Sequence, residues 1–216
     1  MYLITLLRHG ESEGNASGVI QGRSDLPLTE NGVEQTQNLA QAWKSEGIWF
    51  HQIVSSPLKR ARQTAEAIAA VLEIPVEFNQ VWMERAFGEL EGKTLEEVQG
   101  QDPSIDFYDP YRLPAIGAET ALDLFIRASQ GLQDVLRRPE GSYLVVSHGA
   151  ILNMALYSAL GLSLQNGSSP RFSLGNTGFA NLLYEPAHRQ WWLLGLYNPS
   201  LIVITKEQWE SVKDAA

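Results

Sequence analysis

Short apolar runs alternate along this chain with longer stretches in which apolar positions recur three and four residues apart. Residues 2–7 are apolar except for Thr5 and are followed by Arg8-His9-Gly10, which predicts a buried strand feeding a glycine turn. Residues 10–29 are rich in Gly, Ser, Asn and Pro and read as loop. Thr29 stands where a helix N-cap is needed, and Val33, Thr36, Leu39, Ala40 and Trp43 follow at helical spacing until Gly47. A second strand is predicted over 51–55. Pro57 sits at the entry to a further helix, which carries Ala61, Ala65, Ile68, Ala69 and Leu72 on its apolar face. The stretch 76–118 predicts irregular chain with one short helix over 94–99. Helical spacing returns after Gly117 with Leu122, Phe125, Ile126, Leu132, Val135 and Leu136, and Pro139-Glu140-Gly141 ends it in a turn. A strand over 142–147, a helix from Gly149 to about Leu160, a polar loop over 166–170 and strands near 179–184 and 190–197 complete the pattern.

Strands that alternate with helices predict an α/β fold: three layers, with a mainly parallel central sheet and helices on both faces. The last two strands are expected as an antiparallel hairpin at one edge. One domain over residues 1–216 is expected, since 216 residues with 44% hydrophobic positions can surround a single core. No apolar run approaches the ~20 residues a membrane span requires, and the N-terminal run lacks the basic start and small-residue site of a signal peptide. A soluble, cytoplasmic protein is expected. The net charge of −9 argues against a nucleic-acid partner. With no cysteine there is no thiol nucleophile, disulfide or Cys-ligated metal.

Three predicted strand ends carry unusual chemistry. They are Arg8-His9-Gly10-Glu11-Ser12, Ser55-Ser56-Pro57-Leu58-Lys59-Arg60, and Ser147-His148-Gly149. In a parallel sheet, sites form beyond the carboxyl ends of strands, so all three should converge. Two histidines and two arginines brought together suggest a phosphate site. Guanidinium forks match phosphate oxygens and keep their charge, and a neutral histidine can accept a phosphoryl group and pass it to water. A glycine beside each histidine lets backbone approach closely.

Arg8-His9-Gly10-Glu11-Ser12 resembles the signature of the histidine phosphatase superfamily, also called phosphoglycerate mutase-like. Further blocks resemble that family's in order: Asn15, Gln21 to Thr29, Ser55 to Ala65, Glu84 in Met83-Glu84-Arg85-Ala86-Phe87-Gly88, Gly117-Ala118-Glu119-Thr120, and Val146-Ser147-His148-Gly149. The resemblance covers roughly residues 1–185 and implies a phosphoglycerate mutase-like fold. It implies that His9 is the nucleophile and forms a phosphohistidine. It implies that Arg8, Arg60 and His148 hold the transferred phosphoryl group, and that Glu84 protonates the leaving alkoxide and later deprotonates the attacking water. Asn15, the Gln21-Gly22 backbone and Gly149 are expected around the phosphate or leaving group. No metal or other cofactor is implied.

Other readings stand beside these. Glu84 lies near Glu89, Glu91, Glu96 and Glu97, the composition of a solvated acidic face. Arg62 reads as a structural ion pair and Glu119 as a favourable charge at a helix N-terminus. His51 and His188 read as structural, and Trp191-Trp192 as core or interface. The expected activity is metal-independent hydrolysis of a small phosphorylated metabolite. Phosphoglycerate mutase and a non-catalytic phosphate-binding module are the alternatives. A short lid around 88–117, with Phe107, Tyr108, Tyr111 and Arg112 near its middle, is expected to set the substrate. By the resemblance, a mutase carries a long insertion between the proton donor and the second histidine, whereas Glu84 and His148 are only 64 positions apart. Arg23 and Arg112 are candidates for a second anionic group. The apolar C-terminal hairpin offers an edge on which a homodimer could pair.

Overall fold

The computed structural model describes residues 1–107, 109–164 and 170–199. Its elements in chain order are β1 (Tyr2–Arg8), α1 (Glu13–Ala16), α2 (Glu30–Ser45), β2 (Gln52–Ser55), α3 (Lys59–Leu72), β3 (Val76–Phe78), α4 (Leu95–Gln101), α5 (Ala121–Leu136), β4 (Gly141–Ser147), α6 (Gly149–Leu160), β5 (Phe179–Glu185) and β6 (Gln190–Tyr197). Short 3₁₀ turns lie at Gln80–Trp82 and Gly88–Leu90.

The six strands form one sheet in the order β3-β2-β4-β1-β5-β6. β1, β2, β3 and β4 run parallel, with Arg8 beside Ser147 and Ser55 beside Val146. β5 pairs antiparallel with β1, and β6 with β5, which is the expected edge hairpin. Alternation along the strands divides the interior into two layers, as a strand's period of two requires. Ile4, Leu6, Val54, Tyr143 and Val145 face α5 and α6, where Leu124, Ala128, Leu132, Ile151, Leu152 and Ala155 meet them. Leu7, Ile53, Leu144 and Val146 face α2 and α3, against Ala40, Trp43, Ala61, Ala65 and Ile68. β4, buried on both faces, has no polar alternation.

Local signals place the ends of several elements. Thr29, Thr94 and Thr120 each accept an N–H at the start of a helix, and Thr94 and Thr120 form capping boxes with Glu97 and Asp123. Two details, α1 and β3, differ from the sequence reading. The loop over 10–29 contains α1, one turn held by a capping box between Ser12 and Asn15. α3 begins at Lys59, with Pro57 at its entry, and the Lys59 N–H donates to the Asp25 carboxylate at 2.7 Å. The irregular stretch over 76–118 begins with β3, whose three residues are too few to show a period. The polar loop over 166–170 and Tyr108 fall outside the described residues, apart from Pro170.

Candidate active site

Because β1, β2 and β4 are parallel neighbours, their carboxyl ends lie on one edge of the sheet, and the residues that follow them converge. His9 and His148 follow β1 and β4 directly, with ring centroids 5.1 Å apart. Arg8 ends β1, and Arg60 reaches in from the first turn of α3. Gly10 is required here for close approach, since a Cβ would stand 2.5 Å from the Gly32 carbonyl oxygen. Gly149 is different: its nearest neighbours are Arg8 Cζ and Nε at 3.9 Å, ordinary contact distance. Its missing side chain leaves open space in front of the Arg8 guanidinium.

Both histidines are buried, with 2% of His9 and none of His148 exposed. His9 Nδ1 lies 2.6 Å from the Gly10 carbonyl. A carbonyl only accepts, so Nδ1 carries the proton and Nε2 keeps its lone pair. Burial, then the positive charges of Arg60 and Arg8, hold His9 well below the usual histidine range, with the Gly10 bond opposing. His148 Nδ1 accepts from Arg60 Nε at 3.2 Å, because a guanidinium only donates. Its proton therefore sits on Nε2, 2.8 Å from Ser56 Oγ. Burial first, then Arg60, His9, Arg8 and Arg127, also hold His148 well below its usual range. The site thus contains one neutral imidazole whose Nε2 keeps its lone pair and one neutral imidazole that donates an N–H. The His148 donor, expected to face a phosphoryl oxygen, already has Ser56 as a partner.

The arginines carry the charge. Arg60, 1% exposed, also donates to the carbonyls of Ser24 at 2.7 Å and Gly22 at 2.8 Å. Arg8 Nη1 donates to the Leu174 carbonyl at 2.8 Å, and its buried Nε has no partner among the described residues. Neither arginine makes an ion pair among the described residues. Burial lowers the pKa of both from the ordinary value, and Glu84 opposes the shift. A buried cation and a half-buried one on neutral acceptors, the latter with a buried, unpartnered Nε–H, are unfavourable unless an anion joins them.

Glu84 sits between the loop after the first 3₁₀ turn and the start of α6. Its carboxylate accepts the N–H groups of Ala150 and Ile151 at 3.1 Å and of Arg85 at 2.9 Å. His148, the N-cap residue of α6, provides no side-chain cap, and Glu84 does so instead. The acidic-face reading of Glu84 is therefore set aside.

Several neighbours went unassigned from sequence. Arg127 donates to the carbonyls of Val81, Met83 and Glu84 and grips Glu119 through Nε at 2.9 Å and Nη2 at 2.7 Å. Glu119 also accepts the Ala86 N–H and pairs with Arg23 at 3.2 Å. Burial raises its pKa, but these partners prevail and hold it below the ordinary value. Glu119 is therefore a brace for the Glu84 loop and not a helix-terminus charge, while Thr120 and Asp123 cap α5. The sequence signal was the block Gly117 to Thr120, which revealed position but not role. Ser56 lies within the block Ser55 to Ala65 in the same way.

Asn15 and Gln21 lie in the loop beside His9. Asn15 Oδ1 accepts from Ser12 and from Asn176 Nδ2, which also donates to the His9 carbonyl. Gln21 accepts from Ser12 Oγ. Gly22, at φ +50°, turns its carbonyl to Arg60, and a Cβ there would strike the Glu91 carboxylate. These side chains, and the Gly22 carbonyl, work as scaffold around the site. Arg62 is placed 4.5 Å from the Phe78 ring centroid, a cation–π contact where an ion pair was expected. His51 accepts the Ser142 N–H, His188 lies 3.1 Å from Glu185, and Trp191 packs on Tyr184. Tyr111 and Arg112 are exposed, whereas Phe107 lines a cavity of about 490 Å³ that also touches Arg8, Gly149 and Ala150.

A model of the histidine phosphatase superfamily (branch 1) matches residues 4–198. A protein of Photorhabdus laumondii named "Probable phosphoglycerate mutase GpmB" is 34% identical over 197 residues, 88% of each chain. Among solved structures, a mutant phosphoserine phosphatase of Entamoeba histolytica in complex with phosphoserine is 30% identical. It matches with a TM-score of 0.77 over 94% of this chain and 100% of its own. Bacillus stearothermophilus YhfR is 26% identical, with a TM-score of 0.79 over 90% of this chain and 96% of its own.

Proposed function

The chain belongs to the histidine phosphatase superfamily, and from that premise we propose that it hydrolyses small phosphate monoesters through a phosphohistidine at His9, without a metal ion. The observation that carries this reading is the neutral His9, its Nε2 lone pair available, beside the buried Arg60 and half-buried Arg8 guanidiniums, which make no ion pair among the described residues. Arg8, Arg60 and the His148 N–H bind the phosphoryl oxygens, whose charge persists through a loose transition state. His9 Nε2 forms a bond to phosphorus as the ester P–O bond breaks, and Glu84 gives its proton to the departing alkoxide. Water then attacks the phosphohistidine, Glu84 takes the proton back, and the products are an alcohol and inorganic phosphate. The substrate on this reading is a phosphorylated metabolite of the cytoplasm.

The names of the curated relatives favour a second reading, phosphoglycerate mutase. Hydrolysis is preferred because the lid is short. Between Gly88 and Gly117 its basic residues are Lys93, which donates to Gln101, and the exposed Arg112. Water should therefore reach the phosphoenzyme. Rapid quench into alkali during turnover, followed by peptide mass spectrometry, should place phosphate on His9. His9→Ala should abolish both signal and turnover, and full activity in that variant would refute the proposal. Incubation with 3-phosphoglycerate and a bisphosphoglycerate primer compares isomer exchange with phosphate release, and faster exchange would favour the mutase.

A further inference from the structure

The cavity that Phe107 lines opens directly beside the Arg8 guanidinium and the first residues of α6, so it lies where the alcohol part of a bound ester would extend. At about 490 Å³ it is within the range of small-molecule sites, roughly 300–1,000 Å³, and far larger than glycerate or serine needs. Its walls are mainly Phe107, Leu124, Met154, Tyr157, Phe172 and Leu174.

Arg8, at the mouth, is assigned to the phosphoryl group, and several other polar groups in those walls already serve the protein. Arg85 donates through Nε and Nη2 to the Glu119 carbonyl, at 3.0 and 2.9 Å, and through Nη1 to the Phe107 carbonyl. Asn153 Nδ2 donates to the carbonyls of Gly149 and Phe172, and its Oδ1 accepts the Phe172 N–H. The Tyr157 hydroxyl donates to the Pro170 carbonyl. Asp106 and Arg171 contribute one charge of each sign. A hydroxylated or carboxylated leaving group would lose water here against walls that are mainly hydrocarbon and whose Arg85 and Asn153 donors are engaged, whereas an apolar one loses nothing and covers hydrocarbon surface.

Resting on the phosphatase reading above, we infer that this cavity is the leaving-group site and that the substrates are phosphomonoesters of bulky, largely apolar alcohols. Phosphorylated small hydroxy acids are poor substrates on this inference.

The test is a homologous series of ethyl, butyl and hexyl phosphate, compared by kcat/KM with 3-phosphoglycerate and phosphoserine. Each methylene buried should raise kcat/KM about fourfold, so hexyl phosphate should exceed ethyl phosphate by roughly 200-fold. A series flat within about twofold, or either acid outperforming hexyl phosphate, overturns the inference. Calorimetric binding of the matching alkylphosphonates, whose C–P bond is not cleaved, reads the cavity independently of turnover. Graded phosphonate affinity without turnover of any ester would support the cavity and overturn hydrolysis. Turnover without grading in either series would overturn the cavity assignment alone. Met154→Trp should stop the rise before hexyl, because the indole takes up cavity volume. An unchanged hexyl-to-ethyl ratio in that folded variant would refute the location.

Discussion

Glu84→Gln separates the helix capping that the structure gives the Glu84 carboxylate from the proton donation proposed for it. Oε1 accepts from Arg85 and Ile151, and Oε2 accepts from Ala150. A glutamine whose carbonyl replaces Oε1 keeps the first two bonds and turns its NH₂ toward the Ala150 N–H, donor against donor. The variant loses one charge-assisted hydrogen bond, about 1.5–3 kcal/mol, and the negative charge at the α6 N-terminus, about 0.3–1 kcal/mol. Together these come to roughly 2–4 kcal/mol. For a chain of this size each kcal/mol lowers Tm by about 2–4 °C, so a drop of roughly 4–16 °C is expected in a thermal melt. The catalytic effect is separate. An alkyl alkoxide needs the Glu84 proton as it leaves, and a nitrophenolate hardly does. The loss in kcat/KM, measured well below Tm, should be on the order of 10²–10⁴-fold for an alkyl phosphate and much smaller for nitrophenyl phosphate. Equal losses on both esters, with the lowered Tm, would refute proton donation and leave Glu84 as a helix cap.

Three further outcomes follow from the site. Arg60→Lys replaces three directed donors, to His148, Gly22 and Ser24, with one point charge; steady-state kinetics should show kcat/KM lower by on the order of 10²–10³-fold. Below the ordinary histidine value of 6.5 the unfolded chain gains protons that buried His9 and His148 refuse, so their contribution is whole above that pH and is lost as pH falls. Each histidine should cost up to about 1.4 kcal/mol per pH unit below 6.5, visible in denaturant titrations at pH 7, 6 and 5.5 and reduced in His9→Gln. Exhaustive chelation should leave the hydrolysis rate nearly unchanged, and a loss restored by magnesium would contradict the metal-free mechanism.

The sequence by itself determined the alternation of strands and helices, the edge hairpin, and the three strand ends that bear Arg8, His9, Arg60 and His148. Those features are local: a strand's apolar run, a helix's period and a glycine beside a histidine are written within a dozen residues. Legibility failed where an element was too short to show a period, as with α1 and β3. It failed again where a polar side chain's role depended on distant partners. Glu119 looks in sequence like any acidic residue before a helix, yet its carboxylate meets Arg127, Arg23 and Ala86, from three other parts of the chain. Glu84 caps a helix that begins 65 residues later. Ser56 fills the valence of His148, and Asn176 ties the loop of Asn15 to the His9 carbonyl. A hydrogen bond between residues far apart leaves no periodic trace along the chain, because it is created only when the sheet sets its strands side by side. The proposed leaving-group cavity is of the same kind: its walls come from the loop of Asp106 and Phe107, α5, α6 and the segment before β5, and only packing brings them around one space.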